Sequence, residues 1–260
     1  MIQSISESLI EDQLKSNIDS AIRNYRSFNK IKRFYNPIIS DDQIVLHAYI
    51  NAMTELFGKA IYEKLLLLYG ASHNPVFIQK YAVGNEISNG AINEINSIII
   101  ELRNGKLSNK ADEIERIRAV CSKGGIVKIK PIVSDIYLQS RDNSSNIIFI
   151  TTHSIDFPSI LSMKKKLLRS IAAFLLSNPN DKINSCYAVP NNPFAPSGYK
   201  KWILTKMIDN NNEFLYGKEL WDFIGVDGTY EELLFHFEKL RVGYRKKMVR
   251  FFEKNSYYMY

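Results

Sequence analysis

The sequence predicts an α/β fold: a mixed β-sheet with flanking helices, a helical N-terminal region before it and a helical C-terminal tail after it. Three observations predict it. Apolar residues recur at helical spacing both early and late in the chain. Between these stretches, from Gly124-Gly125 onward, short β-branched runs bounded by turn residues take over. The amphipathic segment "FPSILSMKKKLLRSIAAFLLS" then separates two of those runs from a third, which gives the order helices–β–β–α–β–helices.

Each element has a local reason. Ile5, Leu9, Leu14, Ile18 and Ile22 lie at helical spacing within residues 3–34, and Pro37 breaks the chain after "KIKRFYN". Ser40-Asp41-Asp42 supplies N-cap chemistry for a run that closes at Gly70, one or two helices loosened at Gly58. Residues 89–103 and 109–121 read as two helices around the turn "RNGKLSN". "GIVKIKPIVSDIYLQS" and "NIIFITTH" read as strands joined by "RDNSSN". Pro158 sits near a helix start, "KINSCYAVP" is a strand ended by Pro190, and "NNPFAPSGYKKW" is a loop. The remainder from "LYGKELW" is largely helical. The expected organisation is a mainly helical region over 1–123 that packs on an α/β core over 124–260, together one compact unit.

Composition narrows the function classes. With 260 residues and 45% hydrophobic content, the chain can bury a substantial core, and its few Gly and Pro (12 and 8) argue against long disordered tracts. A net charge of +7 suits a polyanionic partner, against the plainer reading of a generally basic surface. Cys121 and Cys186 lack metal-ligand spacing and fit buried thiols in a reducing, cytoplasmic compartment. No apolar run approaches the ~18 residues that would span a membrane, and the N-terminus lacks the basic start of a signal peptide. Walker, GxGxxG, GxSxG, HExxH and paired CxxC motifs are absent from the sequence, which argues against NTPases, dinucleotide enzymes, serine hydrolases of that type and zinc fingers.

The stretch "KPIVSDIYLQSRDNSSNIIFITTHSID", residues 130–156, is a hairpin with one acid, Asp135, at the start of its first strand. Asp135 reads equally well as a strand-end cap or as a metal-binding carboxylate. Farther on, "KKKLLRSIAAF", "YAVPNNPFAPSGYKKW" and "LYGKELWDFIGVDGTYEELLFHFE" resemble the TdeIII-type restriction endonucleases of the PD-(D/E)XK nuclease superfamily. The resemblance is firmest over residues 160–240, with a weaker echo at Phe57-Gly58 and Glu63. It implies a restriction-endonuclease-like core, and it favours the functional reading of Asp135. One element of the superfamily's pattern is missing. An acid and a lysine two residues apart should stand on the second strand, where Phe149 and Thr151 (or, shifted by one, Ile150 and Thr152) stand instead.

The resemblance implies Mg²⁺-dependent phosphodiester hydrolysis, since a hard cation held by carboxylates neutralises developing charge and activates a water. Asp135 and Glu63 are then the candidate metal ligands, with Glu63 equally readable as a solvated helix acid. His153 is a candidate base or phosphate ligand, and Asp156 a lesser carboxylate better suited to N-capping. The missing cation is sought among Lys164, Lys165 and Lys166 at the start of the next helix, with Lys165 at the middle; a solvated basic turn is the plainer alternative. Asn191, Asn192, Tyr199, Lys200 and Lys201 are the expected DNA contacts, because amide and basic side chains read bases and hold phosphates. The basic stretch "RVGYRKKMVR" suits phosphates, whereas Trp221, Phe223 and Tyr230 suit the core. The implied protein is a homodimeric type II restriction endonuclease acting on double-stranded DNA at a GC-rich, GGNCC-like palindrome, with a cognate DNA methyltransferase as genetic partner. A catalytically decayed DNA-binding relative is the alternative, and a structural or interaction domain without a DNA role is a third class.

Overall fold

The computed structural model describes residues 7–24, 61–151, 157–191 and 204–256. It is α/β, with a mixed five-stranded sheet and flanking helices. The chain divides into two compact units, residues 73–226 and residues 1–72 with 227–260.

In the first unit the elements are β1 (Val76–Gln79), β2 (Ala82–Ser88), α3 (Asn89–Arg103), α4 (Lys110–Arg118), β3 (Ile126–Val133), β4 (Ile136–Gln139), β5 (Ser145–Ile150), α5 (Phe157–Ser177), β6 (Ile183–Val189), α6 (Leu204–Met207), β7 (Phe214–Tyr216) and α7 (Lys218–Ile224). The sheet runs β1-β4-β5-β6-β7, antiparallel as far as β5 and parallel from β5 to β7. A separate antiparallel ribbon pairs β2 with β3.

The central strands explain their own continuous apolar text. Ile147, Ile148 and Phe149 of β5 are all buried, as are Cys186 to Val189 of β6, because layers cover both faces of a parallel pair. Helix α5 supplies one such layer with Ile160, Met163, Leu167, Leu168, Ile171 and Leu175. The β2–β3 ribbon lies against the same helix, where a Cβ on Gly84 would come within 3.3 Å of the Ala173 Cβ. Ser88 starts α3 by accepting from the Ala91 N–H at 3.0 Å, a conventional N-cap. Two residues on, Gly90 has no room for a side chain, since a Cβ would meet the Lys123 and Val120 carbonyls at 2.9 Å.

Among its described residues the second unit is helical: α1 (Glu7–Asn24), α2 (Ile61–His73) and α8 (Thr229–Ser256). Lys239 of α8 pairs with Glu7 at 2.9 Å and Glu11 at 3.3 Å of α1, and the Tyr244 hydroxyl donates to the Lys15 carbonyl. No described helix is long and apolar enough to cross a membrane.

The strands expected around Asp135 form, but the first of them is two elements, one on each side of that residue. "GIVKIKPIVSDIYLQS" is broken at Ser134-Asp135 into β3 and β4. Residues 76–88, for which no element was expected, add β1 and β2, and Leu215-Tyr216, expected to open the helical tail, instead belong to β7, paired with β6.

Candidate active site

Two adjacent strands leave the five-stranded sheet together. The register that pairs Val76 with Gln139 and Gln79 with Ile136 resumes unchanged where Ala82 pairs with Val133. The interruption consists of Lys80-Tyr81 on one strand and Ser134-Asp135 on the other, so Lys80 lies across from Asp135. The bend is tied by the Lys80 N–H to the Asp135 carbonyl (3.0 Å) and by the Ser134 N–H to the Tyr81 carbonyl (2.9 Å). Lys80 adopts a left-handed conformation, φ 55°, which turns the chain at the cost of strain for a residue with a Cβ.

This bend sets the carboxylate. Asp135 Oδ1 accepts from the Lys80 ammonium at 2.6 Å, and Oδ2 accepts from the Ile150 N–H at 2.9 Å. The Asp135 N–H in turn reaches the Ile148 carbonyl at 3.1 Å, one residue off the register that pairs Ile136 with Ile148, so the chain bulges at Asp135 as it enters β4. Phe149 pairs with Tyr187, and Tyr187 with Phe214. Directly opposed residues share a face of a sheet, so Phe149 and Tyr187 form one row beneath α5, and Asp135, held by the Ile150 N–H, lies close enough for its charge to act on Tyr187. The rings of Phe149 and Tyr187 lie 5.5 Å apart. Burial pushes the Tyr187 phenol up, and the Asp135 charge adds to it, which keeps that hydroxyl neutral.

The three consecutive lysines of α5 separate by about 100° each around the helix, so they meet three environments. Lys164 is fully buried between Glu213 (2.7 Å) and Glu113 (2.5 Å). Lys165 lines a surface groove beside β3. Lys166 places its amine 3.8 Å from the centroid of the Phe149 ring. Burial lowers the pKa of this amine, the Asp135 charge opposes that shift, and Lys80 adds to it. The position on β5 where an acid was sought thus holds an aromatic ring, and a lysine from the overlying helix lies above it. The arrangement combines an anionic oxygen pair with two ammonium groups at the end of a buried row, suited to gripping a phosphate and neutralising charge that develops on it.

The other expected site residues fall elsewhere. Glu63 lies half-buried on α2, within the helical unit. Asn191 is exposed just after β6. His153, Asp156, Asn192, Tyr199, Lys200 and Lys201 lie outside the described residues. Trp221 is core, as expected, its indole N–H donating to the Pro190 carbonyl at 2.9 Å, while Phe223 and Tyr230 are half-buried. Lys80 went unremarked in the sequence. The signal available there was "NPVFIQKYAVGN", an aromatic and β-branched run bounded by Asn-Pro and Gly-Asn that reads as a strand pair's edge.

Among the described residues no three His, Cys, Asp or Glu side chains converge as a metal cage. A hard cation of the Mg²⁺ kind needs only one or two carboxylates when waters and phosphate oxygens complete its shell, and at this bend the Asp135 carboxylate is held by Lys80 and the Ile150 N–H. Compared with known proteins, residues 2–241 match the family model described as HinfI, a type II restriction endonuclease. No curated protein matches the chain.

Proposed function

The chain belongs to the HinfI family of type II restriction endonucleases, and on that premise we propose that it cleaves duplex DNA at a short palindromic site, with Asp135 and Lys166 at the reacting phosphate. The observation that carries this is the Lys166 amine over Phe149, near enough to Asp135 for that charge to act on it. It supports the reading by bringing a helix lysine to the strand that lacks its own, over the position where the acid was expected. In this reading Asp135 is the carboxylate ligand of Mg²⁺, which when bound supplies a Lewis acid and an acidified water. Lys166 neutralises the charge that builds on the phosphate oxygens. Lys80 balances Asp135 until substrate arrives. Tyr187 and Phe149 exclude water from one side of the reacting group.

Recognition of a palindrome calls for two-fold symmetry, hence a homodimer. The wording of the second half of the chain, similar to TdeIII-type enzymes, makes GGNCC-like sites the first to try and a cognate DNA methyltransferase the expected genetic partner. The absent acid and lysine of β5 favour one second reading, a relative that binds DNA without cutting it.

The test is cleavage of unmethylated DNA in Mg²⁺ by wild type and by Asp135→Asn. Loss of cleavage with retained binding in the variant is the expected result, because shape is kept while charge is removed. A fully active Asp135→Asn overturns the assignment of the centre. Wild-type protein that binds but never cuts leaves the decayed relative standing.

A further inference from the structure

A groove of about 480 Å³ opens between β3 and α5. Its polar lining is Lys130 from the strand and Ser162, Lys165, Lys166 and Arg169 from the helix, with Pro131 at its edge and no carboxylate. None of these four cations forms an ion pair with a described carboxylate, whereas Lys80, Arg116, Lys218 and Lys239 all do. Lys165 and Arg169 sit one helical turn apart, a like-charged spacing that costs stability unless an anion lies between.

The strand is shaped for this groove. Between Glu86↔Lys128 and Gly84↔Ile132, β3 runs four residues while β2 runs two, so β3 bulges at 129–131. The bulge tolerates Pro131, which has no N–H for the ladder, and Lys130 within it is exposed and lines the groove. Lys166 lines the groove and also lies over Phe149, whose neighbour Ile150 donates its N–H to the Asp135 carboxylate, so the Lys166 side of the groove lies toward that carboxylate.

We propose that the groove between the β3 bulge and α5 holds the phosphodiester backbone of one nucleic-acid strand and leads it to Asp135, with Lys130, Lys165 and Arg169 on the phosphates next to the reacting one. The ligand class follows from the lining: four cations along a narrow channel suit a linear polyanion with regularly spaced charges. This rests on the nuclease reading for what happens at Asp135, while the binding of backbone at the groove is separable from it.

The experiment measures affinity for a duplex across a salt series in full-length Asp135→Asn, with and without Lys130→Ala/Arg169→Ala. Each lost phosphate contact removes about 0.9 from the log–log slope, so the double change should lower it by about 1.8, with unaltered melting temperature. An Arg169→Lys variant, which keeps the charge, should retain the slope. An unchanged slope and affinity in the double variant overturns the groove, and does so even if Asp135-dependent cleavage by the wild type is intact. A reduced slope in a protein whose wild type never cuts upholds the groove and removes the nuclease reading alone. Equal loss in Arg169→Lys and the double variant, or a lowered melting temperature that accounts for the loss, assigns these residues to folding and overturns the proposal.

Discussion

Lys164 and Lys166 stand two residues apart on one helix and solve opposite problems. Lys164 is wholly enclosed and fully partnered: its ammonium donates to both Glu213 oxygens (2.7 Å) and to the Ser108 hydroxyl (2.8 Å), with Glu113 at 2.5 Å. Around it Glu213 also accepts from the Asp209 N–H, and Lys110 donates to Asn184 and the Asn212 carbonyl. Lys166 instead reaches an open end of the sheet where cations outnumber acids. An interior charge must be balanced within the protein, because nothing else can balance it. A surface cluster of one sign needs no internal balance and leaves its field available to a partner. The same residue type is therefore structural in one place and functional in the other.

The largest expected effect tests the interior half of this contrast. Lys164→Ala strands two buried carboxylates, so it should cost on the order of 3–5 kcal/mol of stability, read as a drop in the urea midpoint. Changing Lys164→Met together with Glu213→Gln removes the lysine and one of its two carboxylates, and should recover part of that loss. A Lys164→Ala protein as stable as wild type would break the comparison at its root.

The limits of the sequence appear at the same helix. Its existence, length and apolar stripe were legible, because they depend on periodicity alone, and so was the strand–turn–strand after Asp135. Which lysine faces the reacting row was not legible, because three consecutive residues cover nearly a full turn and only the packing of α5 on Phe149 selects one. Lys80 was hidden for another reason. Its approach to Asp135 depends on long-range pairing of β1 with β4, and short strands such as 76–79 and 214–216 carry too few residues for alternation to speak. The break at Ser134-Asp135 was masked by continuous β-branched text on both sides. Lys110, an exposed-looking first residue of α4, is 5% exposed and burial pushes its amine down, which nothing local foretells.

The next effect tests the surface half. Lys166→Ala should slow cleavage by roughly 10²-fold or more, the scale for losing one charge-stabilising group at a reacting centre, with stability changed by less than about 0.5 kcal/mol. Lys165→Ala should weaken DNA binding and leave the rate at saturating DNA near wild type. The reverse pattern would exchange the two roles and move the missing cation one residue along the helix.

Lys80 sharpens the comparison, since it combines an exposed ion pair with a strained backbone. The pair with Asp135 is short, but Lys80 is half exposed, so its loss in Lys80→Ala should cost no more than about 1 kcal/mol. Glycine adopts φ 55° without strain, and Lys80→Gly should be more stable than Lys80→Ala by a few tenths to about 1 kcal/mol. Chemical denaturation of the two variants checks the order. If the alanine variant proves the more stable, the left-handed bend is not where the strain lies.

The smallest effect separates the two settings by pH. Glu101 sits at the edge of α3, gripped by both terminal nitrogens of Arg116 (2.6 and 2.8 Å) and by Lys106 at 2.6 Å. These hydrogen bonds, Arg116's foremost, pull its carboxyl from 4.5 to about 2. A depressed carboxylate contributes stability above its unfolded value and loses it as pH falls through the folded one, so this contribution should fade between about pH 4.5 and 2. Solvent screens the pair, and the contribution is at most about 1 kcal/mol. Glu113 runs the other way: burial raises its pKa, with Lys164 opposing, so its share of stability is complete below 4.5 and declines as pH rises through the raised value. Thermal unfolding of Glu101→Gln across this range should show a flatter acid limb than wild type. Glu113→Gln should leave the acid limb at least as steep, since it removes a group that gains from protonation. Parallel acid limbs in the two variants would mean that burial, which sets Lys164 apart from Lys166, does not set these two glutamates apart.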